Sequence, residues 1–116
     1  MNLEQTPANL PVPEDDGACD HLQGSTMPTI ALNGTDGEQV HLNNLNETTV
    51  IYIYPMTGRP DVPLPEGWDG IPGARGCTPQ SCSFRDIHGD LAAHARVYGL
   101  SSQDTAWQQE ARSRLH

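Results

Sequence analysis

The chain has 116 residues and a net charge of −9, with a sequence pI near 4.6. Nucleic acid and anionic membrane both select clustered positive charge, so this balance argues against either as a partner. One domain with a modest core fits the length, although ten prolines and eleven glycines interrupt regular structure.

The segment 1–27 reads as an irregular acidic arm, with Glu14-Asp15-Asp16 just before Gly17-Ala18-Cys19-Asp20-His21. It has no basic stretch followed by an apolar run, so no signal peptide is expected. No apolar run in the chain approaches the ~20 residues a membrane-spanning helix needs. A soluble cytoplasmic protein is the expectation. In that reducing compartment, three cysteines point to chemistry or metal binding before structural disulfides.

Thr29-Ile30-Ala31-Leu32 and Gln39-Val40-His41-Leu42 flank the turn-rich Asn33-Gly34-Thr35-Asp36-Gly37, which predicts a hairpin. Thr48 to Tyr54 is a β-branched and aromatic run, the pattern of a central strand covered on both faces. Pro55 ends it. Residues 55–76 then hold five prolines and five glycines. A loop this long is functional or disordered, and Leu64, Trp68 and Ile71 offer anchors that favour an ordered one.

From Pro79 to about Ala95 the pattern is helical, with Phe84, Ile87, Leu91 and Ala95 on one stripe. Thr78-Pro79 is its start signal, threonine as N-cap and proline at the first position. Arg96 to Ser101 reads as a second strand. A closing helix capped by Ser102 or Asp104 runs to about Leu115. Strand, helix, strand makes a βαβ unit with parallel strands. Reactive groups in such sheets lie beyond the carboxyl ends of the strands, here the loop after Tyr54 and the start of the helix.

Two cysteines, Cys77 and Cys82, occupy that helix start. The positive end of the helix dipole favours thiolate over thiol, and Arg75 and Arg85 close by in sequence add to it. Two other readings of the pair are inert packing and a zinc site shared with Cys19 and His21, though neither arm has the usual two-to-four-residue ligand spacing. His41, His88 and His94 read as solvated or packed side chains.

Three segments carry a family resemblance: Val50-Ile51-Tyr52-Ile53-Tyr54-Pro55, Gly76-Cys77-Thr78-Pro79-Gln80-Ser81-Cys82-Ser83-Phe84-Arg85-Asp86, and Tyr98-Gly99-Leu100-Ser101-Ser102-Gln103-Asp104. In order, spacing and context the chain resembles a peroxiredoxin of the bacterioferritin-comigratory or Q-type branch, over roughly residues 28–116. The resemblance implies an α/β, thioredoxin-like fold made of an N-terminal hairpin and a βαβα core. It implies thiol-dependent reduction of hydrogen peroxide or organic hydroperoxides without a cofactor, with a thioredoxin-like reductant. Cys77 matches the peroxidatic cysteine and Cys82 the resolving one.

The sequence departs from the family pattern in three ways. Ala74 stands where the family has threonine, three residues before the peroxidatic cysteine; Thr57 is the candidate to supply that hydroxyl, and Arg75 a candidate to stabilise the thiolate. The family's later active-site arginine has no match. The last strands and helix are missing, so 28–116 is expected to be an incomplete domain with an exposed sheet edge, a route to a homodimer. A catalytically inactive redoxin-like module that senses redox state or binds a partner is the alternative function.

The implied disulfide carries a geometric condition. Residues five apart in a continuous helix are separated by ~7.5 Å of rise and ~140° of turn, whereas a disulfide needs Cα atoms within about 7 Å. A helix that begins before Cys77 must therefore unwind to close the bond. One that begins at Pro79 places Cys77 and Cys82 at N′ and N4, which touch in a hydrophobic staple.

Overall fold

The computed structural model describes residues 7–116. The first six residues of the predicted arm lie outside the described residues, and the rest of the arm is exposed apart from the half-buried Leu10, with a short 3₁₀ turn at Asp20–Leu22.

The hairpin forms as predicted but shorter. Strands β1 (Ala31–Asn33) and β2 (Gln39–His41) pair antiparallel, with Leu32 opposite Val40. The turn closes through Gly34 N–H to the Glu38 carbonyl at 2.8 Å, and the Asp36 carboxylate accepts the Glu38 N–H at 3.0 Å. Gly37 sits at φ 86°, which a glycine adopts without Cβ strain.

Strand β3 (Thr49–Tyr54) and strand β4 (Arg96–Ser101) pair in parallel, from Thr49 opposite Arg96 to Tyr54 opposite Ser101. The predicted bounds of β4 match. Between them runs helix α1 (Cys77–Ala92), and helix α2 (Thr105–Leu115) follows β4. The chain is α/β, as expected.

Three expectations are corrected. First, β3 is not covered on both faces: β4 is its one partner among the described residues, and Ile53 is 71% exposed. The alternate side chains Tyr52 and Tyr54 turn instead toward α1. Tyr52 stacks on Phe84 at 4.4 Å between centroids and on Tyr54 at 5.7 Å. Gly99 lets that ring lie flat across the sheet, since a Cβ there would stand 2.7 Å from Tyr52 Cζ.

Second, α1 starts at Cys77, two residues before the predicted start. A 3₁₀ turn over Ala74–Gly76 runs straight into it, so Thr78 lies inside the helix instead of capping it. Pro79 is tolerated because the first helical N–H groups have no intrahelical acceptor.

Third, the apolar stripe is only partly used. Ile87 is exposed while Phe84 and Leu91 are half-buried, and the buried residues of α1 are Cys77, Thr78 and Cys82. The helix is held at its N-terminal end. With Tyr54, Ala74, Ala111 and Leu115, the two cysteines make up most of the buried apolar core.

Candidate active site

The long loop is ordered by two 3₁₀ turns, Trp68–Gly70 and Ala74–Gly76. Leu64 and Trp68 fold inward and, with Met56, Gly58, Ala74, Arg75 and Thr78, line a recess that ends on Cys77. Ile71, expected as an anchor, is exposed. The recess encloses about 10 Å³, room for one water molecule at most. Roomier clefts of about 560 and 800 Å³ run along the sheet, but neither cysteine lines them. Cys77 therefore opens on the small recess and on neither larger cleft.

Cys77 and Cys82 are both buried and both in the thiol form. As α1 is continuous from Cys77, they are separated by about 7.5 Å of helix rise and face different sides. The Cys77 Sγ lies 3.8 Å from the Ala74 carbonyl as a weak donor. Burial pushes the Cys77 thiol above its ordinary value, and the N–H groups of Met56 and of Cys77 itself pull it back. Burial likewise raises the Tyr54 hydroxyl, with Tyr52 adding to the rise, Ser101 opposing it by a hydrogen bond, and Cys77 adding further.

The expected lowering by arginines is not what the geometry provides. Arg75 lines the recess, but its guanidinium donates to the Asp69 carboxylate at 3.1 and 3.3 Å. Arg85 is engaged with Asp86 at 2.8 Å and with the Leu115 carbonyl at 2.9 Å. Desolvation, which opposes the charged form, outweighs the two backbone donors here. Thr57 is fully buried beside the recess, and its N–H donates to Gln103 Oε1 at 2.9 Å. Its hydroxyl also faces that oxygen, at 3.5 Å, so it is committed to Gln103.

Peroxiredoxin Q, chloroplastic, of Oryza sativa subsp. japonica is 31% identical over 112 aligned positions, covering 90% of this chain and 45% of its own. Peroxiredoxin bcp1 of Schizosaccharomyces pombe is 32% identical over 113 positions, 93% of this chain and 50% of its own. Over nine tenths of its length the chain is similar to these peroxiredoxins of the Q and bcp branch. Peroxiredoxin Q, chloroplastic, of Triticum aestivum is 33% identical over 86 positions, 72% of this chain and 33% of its own. The chain spans about half the length, or less, of these curated relatives. No family model and no solved structure matches it.

Cys19 is not brought to the pair. It is exposed beside the turn at Asp20–Leu22. Among the described residues no group of three or more His, Cys, Asp or Glu side chains is gathered as a metal would require. Sequence reasoning missed Met56, whose contribution is a backbone N–H, and the residues that fix the loop around it. Gln103 stood within the quoted Tyr98–Asp104 segment, and Glu110 and Arg114 carry the spacing of a helical ion pair.

Proposed function

We propose that the chain carries the reacting centre of a thiol peroxidase. Cys77 thiolate attacks one oxygen of hydrogen peroxide or an organic hydroperoxide; the O–O bond breaks, Cys77 becomes a sulfenic acid and an alcohol or water leaves after taking up a proton. The Cys82 thiol condenses with the sulfenic acid, forming an S–S bond and releasing water. A dithiol reductant of the thioredoxin type returns both to thiols by exchange and is itself oxidised to a disulfide. No cofactor takes part.

The observation that carries this reading is the thiol pair itself. Cys77 is the first residue of α1, at the floor of a recess and met by the Met56 N–H, and Cys82 is buried on the next turn. The recess is too small for a peroxide as it stands, so substrate entry displaces the Leu64–Trp68 wall. Arg75 supports the site as part of the recess lining, and Thr57 supports it by fixing the backbone between the lining residues Met56 and Gly58. The βαβα arrangement is read as part of a thioredoxin-like fold, working in the cytoplasm. The open side of β3 is the edge along which a homodimer would form.

Peroxide-dependent consumption of reductant tests the reading. Turnover abolished in Cys77→Ser and impaired in Cys82→Ser supports it; undiminished turnover in Cys77→Ser overturns it. Specific observations favour a second reading, a redox-responsive binding module without turnover: the raised Cys77 thiol and the commitment of Arg75 to Asp69. A folded protein that forms the Cys77–Cys82 disulfide without turning over peroxide would decide for it.

A further inference from the structure

The irregular backbone after β3 is held by side chains from the other end of the chain. The hydroxyls of Ser101 and Ser102 donate to the Pro55 carbonyl at 3.1 and 3.0 Å. Gln103 accepts the Thr57 N–H at 2.9 Å and donates back to the Thr57 carbonyl at 3.3 Å. Arg114 Nη2 donates to the Gly58 carbonyl at 2.7 Å. With both neighbours of Met56 pinned in this way, the Met56–Gly58 backbone is held as one side of the recess that ends on Cys77, and the Met56 N–H counters the effect of burial on that thiol.

Arg114 is in turn fixed by Glu110, Nε to Oε1 at 2.7 Å, one turn apart on α2. The second Glu110 oxygen, Oε2, and Arg59 Nε are buried without a hydrogen-bond partner and stand 3.9 Å apart as an ion pair. The Arg59 guanidinium lies 4.9 Å from the centroid of the Trp107 ring. One carboxylate thus serves two arginines, one from the loop and one from the helix. Exposed ion pairs contribute little, but these side chains are mostly covered, and one bond of the set ends on the loop backbone itself.

We propose that Glu110 and Arg114 are positioning residues for Cys77, holding the Met56–Arg59 loop in place as one wall of the recess that ends on its sulfur. The inference rests on Cys77 as the reacting thiol and adds α2 as its support. A donor aimed at sulfur favours the thiolate, and hydrogen bonds weaken steeply with distance and angle. When the loop drifts, Leu64, Trp68 and Ala74 still cover Cys77, so loss of the donor that opposes burial is expected to outweigh the small gain of solvent.

The test is the pH profile of iodoacetamide alkylation, in the 116-residue chain carrying Cys19→Ser and Cys82→Ser so that Cys77 is the one thiol. Tyr54 and Arg75, which flank the sulfur, are left in place. Arg114→Leu is expected to raise the midpoint by about half to one pH unit, which at fixed pH below the midpoint is a roughly three- to tenfold slower reaction. Arg114→Lys, which keeps a donor for the Gly58 carbonyl, is expected to recover most of that loss. Glu110→Gln preserves helix and shape and is expected to give a smaller shift in the same direction; it decides the matter if Arg114→Leu does not fold. Unchanged midpoints in folded variants overturn the proposal, as does a failure of lysine to rescue. Shifted midpoints without peroxide turnover would sink the peroxidase reading and leave the anchor standing; turnover with unshifted midpoints does the reverse.

Discussion

The two helices begin in opposite ways. At α2 the Asp104 carboxylate accepts the Trp107 N–H at 2.9 Å, a side-chain cap on an extended N-cap residue. At α1 the preceding residue is Gly76, already in helical conformation, and no side chain caps the turn. Pro79 brings no N–H to that turn. The Ser81 and Ser83 hydroxyls spend their bonds on the carbonyls of Cys77 and Pro79 at 3.0 Å each, a habit that slightly loosens helices. One start is pinned and the other can move. The movable one holds the cysteine whose bond to Cys82 requires unwinding.

The largest effect that would break this contrast is oxidation. Forming the Cys77–Cys82 bond is expected to shift the start of α1 to Pro79 with Thr78 as N-cap. Amide exchange at Gln80 and Ser81 should then accelerate at least tenfold, about 1.4 kcal/mol of local stability, while Trp107 and Gln108 in α2 stay as they are. Mass spectrometry or NMR on reduced and oxidised protein reads both helices together. Equal protection in the two redox states would show that the α1 start does not move.

The pinned start is broken by removing its cap. Asp104→Ala is expected to destabilise the fold by about 1 kcal/mol, seen as a melting temperature roughly 4–8 °C lower for a domain near this size. A change within error would mean that Asp104 does not anchor α2. Closer to the thiols, Pro79→Ala restores a donor to the first turn of α1 and removes the residue that suits a later start. Losing the ring's fixed φ at the later start costs about 0.4–1 kcal/mol, so closure of the sulfenic acid onto Cys82 should slow about two- to fivefold. Stopped-flow tryptophan fluorescence, with Trp68 lining the recess, follows that step. Faster closure in Pro79→Ala would contradict the contrast.

The same two starts show what a single sequence discloses. The α2 cap and the bounds of β4 were legible because their causes are local: an Asp followed by helix formers, and the short run Val97-Tyr98-Gly99-Leu100 ended by serines. The α1 start was misplaced because Ala74–Gly76 coil into a 3₁₀ turn that feeds the helix, and nothing in Gly73-Ala74-Arg75-Gly76 signals it. The thiol pair was visible, but its electrostatics were not, since burial depends on Met56, Leu64 and Trp68 folding over it. Gln103 and Arg114 reach the loop across 46 and 56 residues, a separation over which spacing says nothing. Ile87 followed the helical period yet stays exposed, because α1 is packed at its N-terminal end.

The smallest expected effect is a pH dependence that begins at the movable start. Cys77 lies above its ordinary 9.0, by burial first and despite two backbone donors. The folded protein therefore holds this proton more tightly than the unfolded chain does. That contribution to stability is complete below the ordinary thiol range and is lost as pH rises through the folded value. Tyr54, raised from 10.0 by burial, acts in the same direction at higher pH. Melting temperature should fall as pH passes above about 9, and Cys77→Ser should flatten the first part of that fall while leaving the part due to Tyr54. The alkaline slope separates burial from the dipole: if the dipole at the α1 start outweighed burial, Cys77 would lie below its ordinary value. Stability would then rise with pH in the same window, and Cys77→Ser would remove a rise instead of a fall.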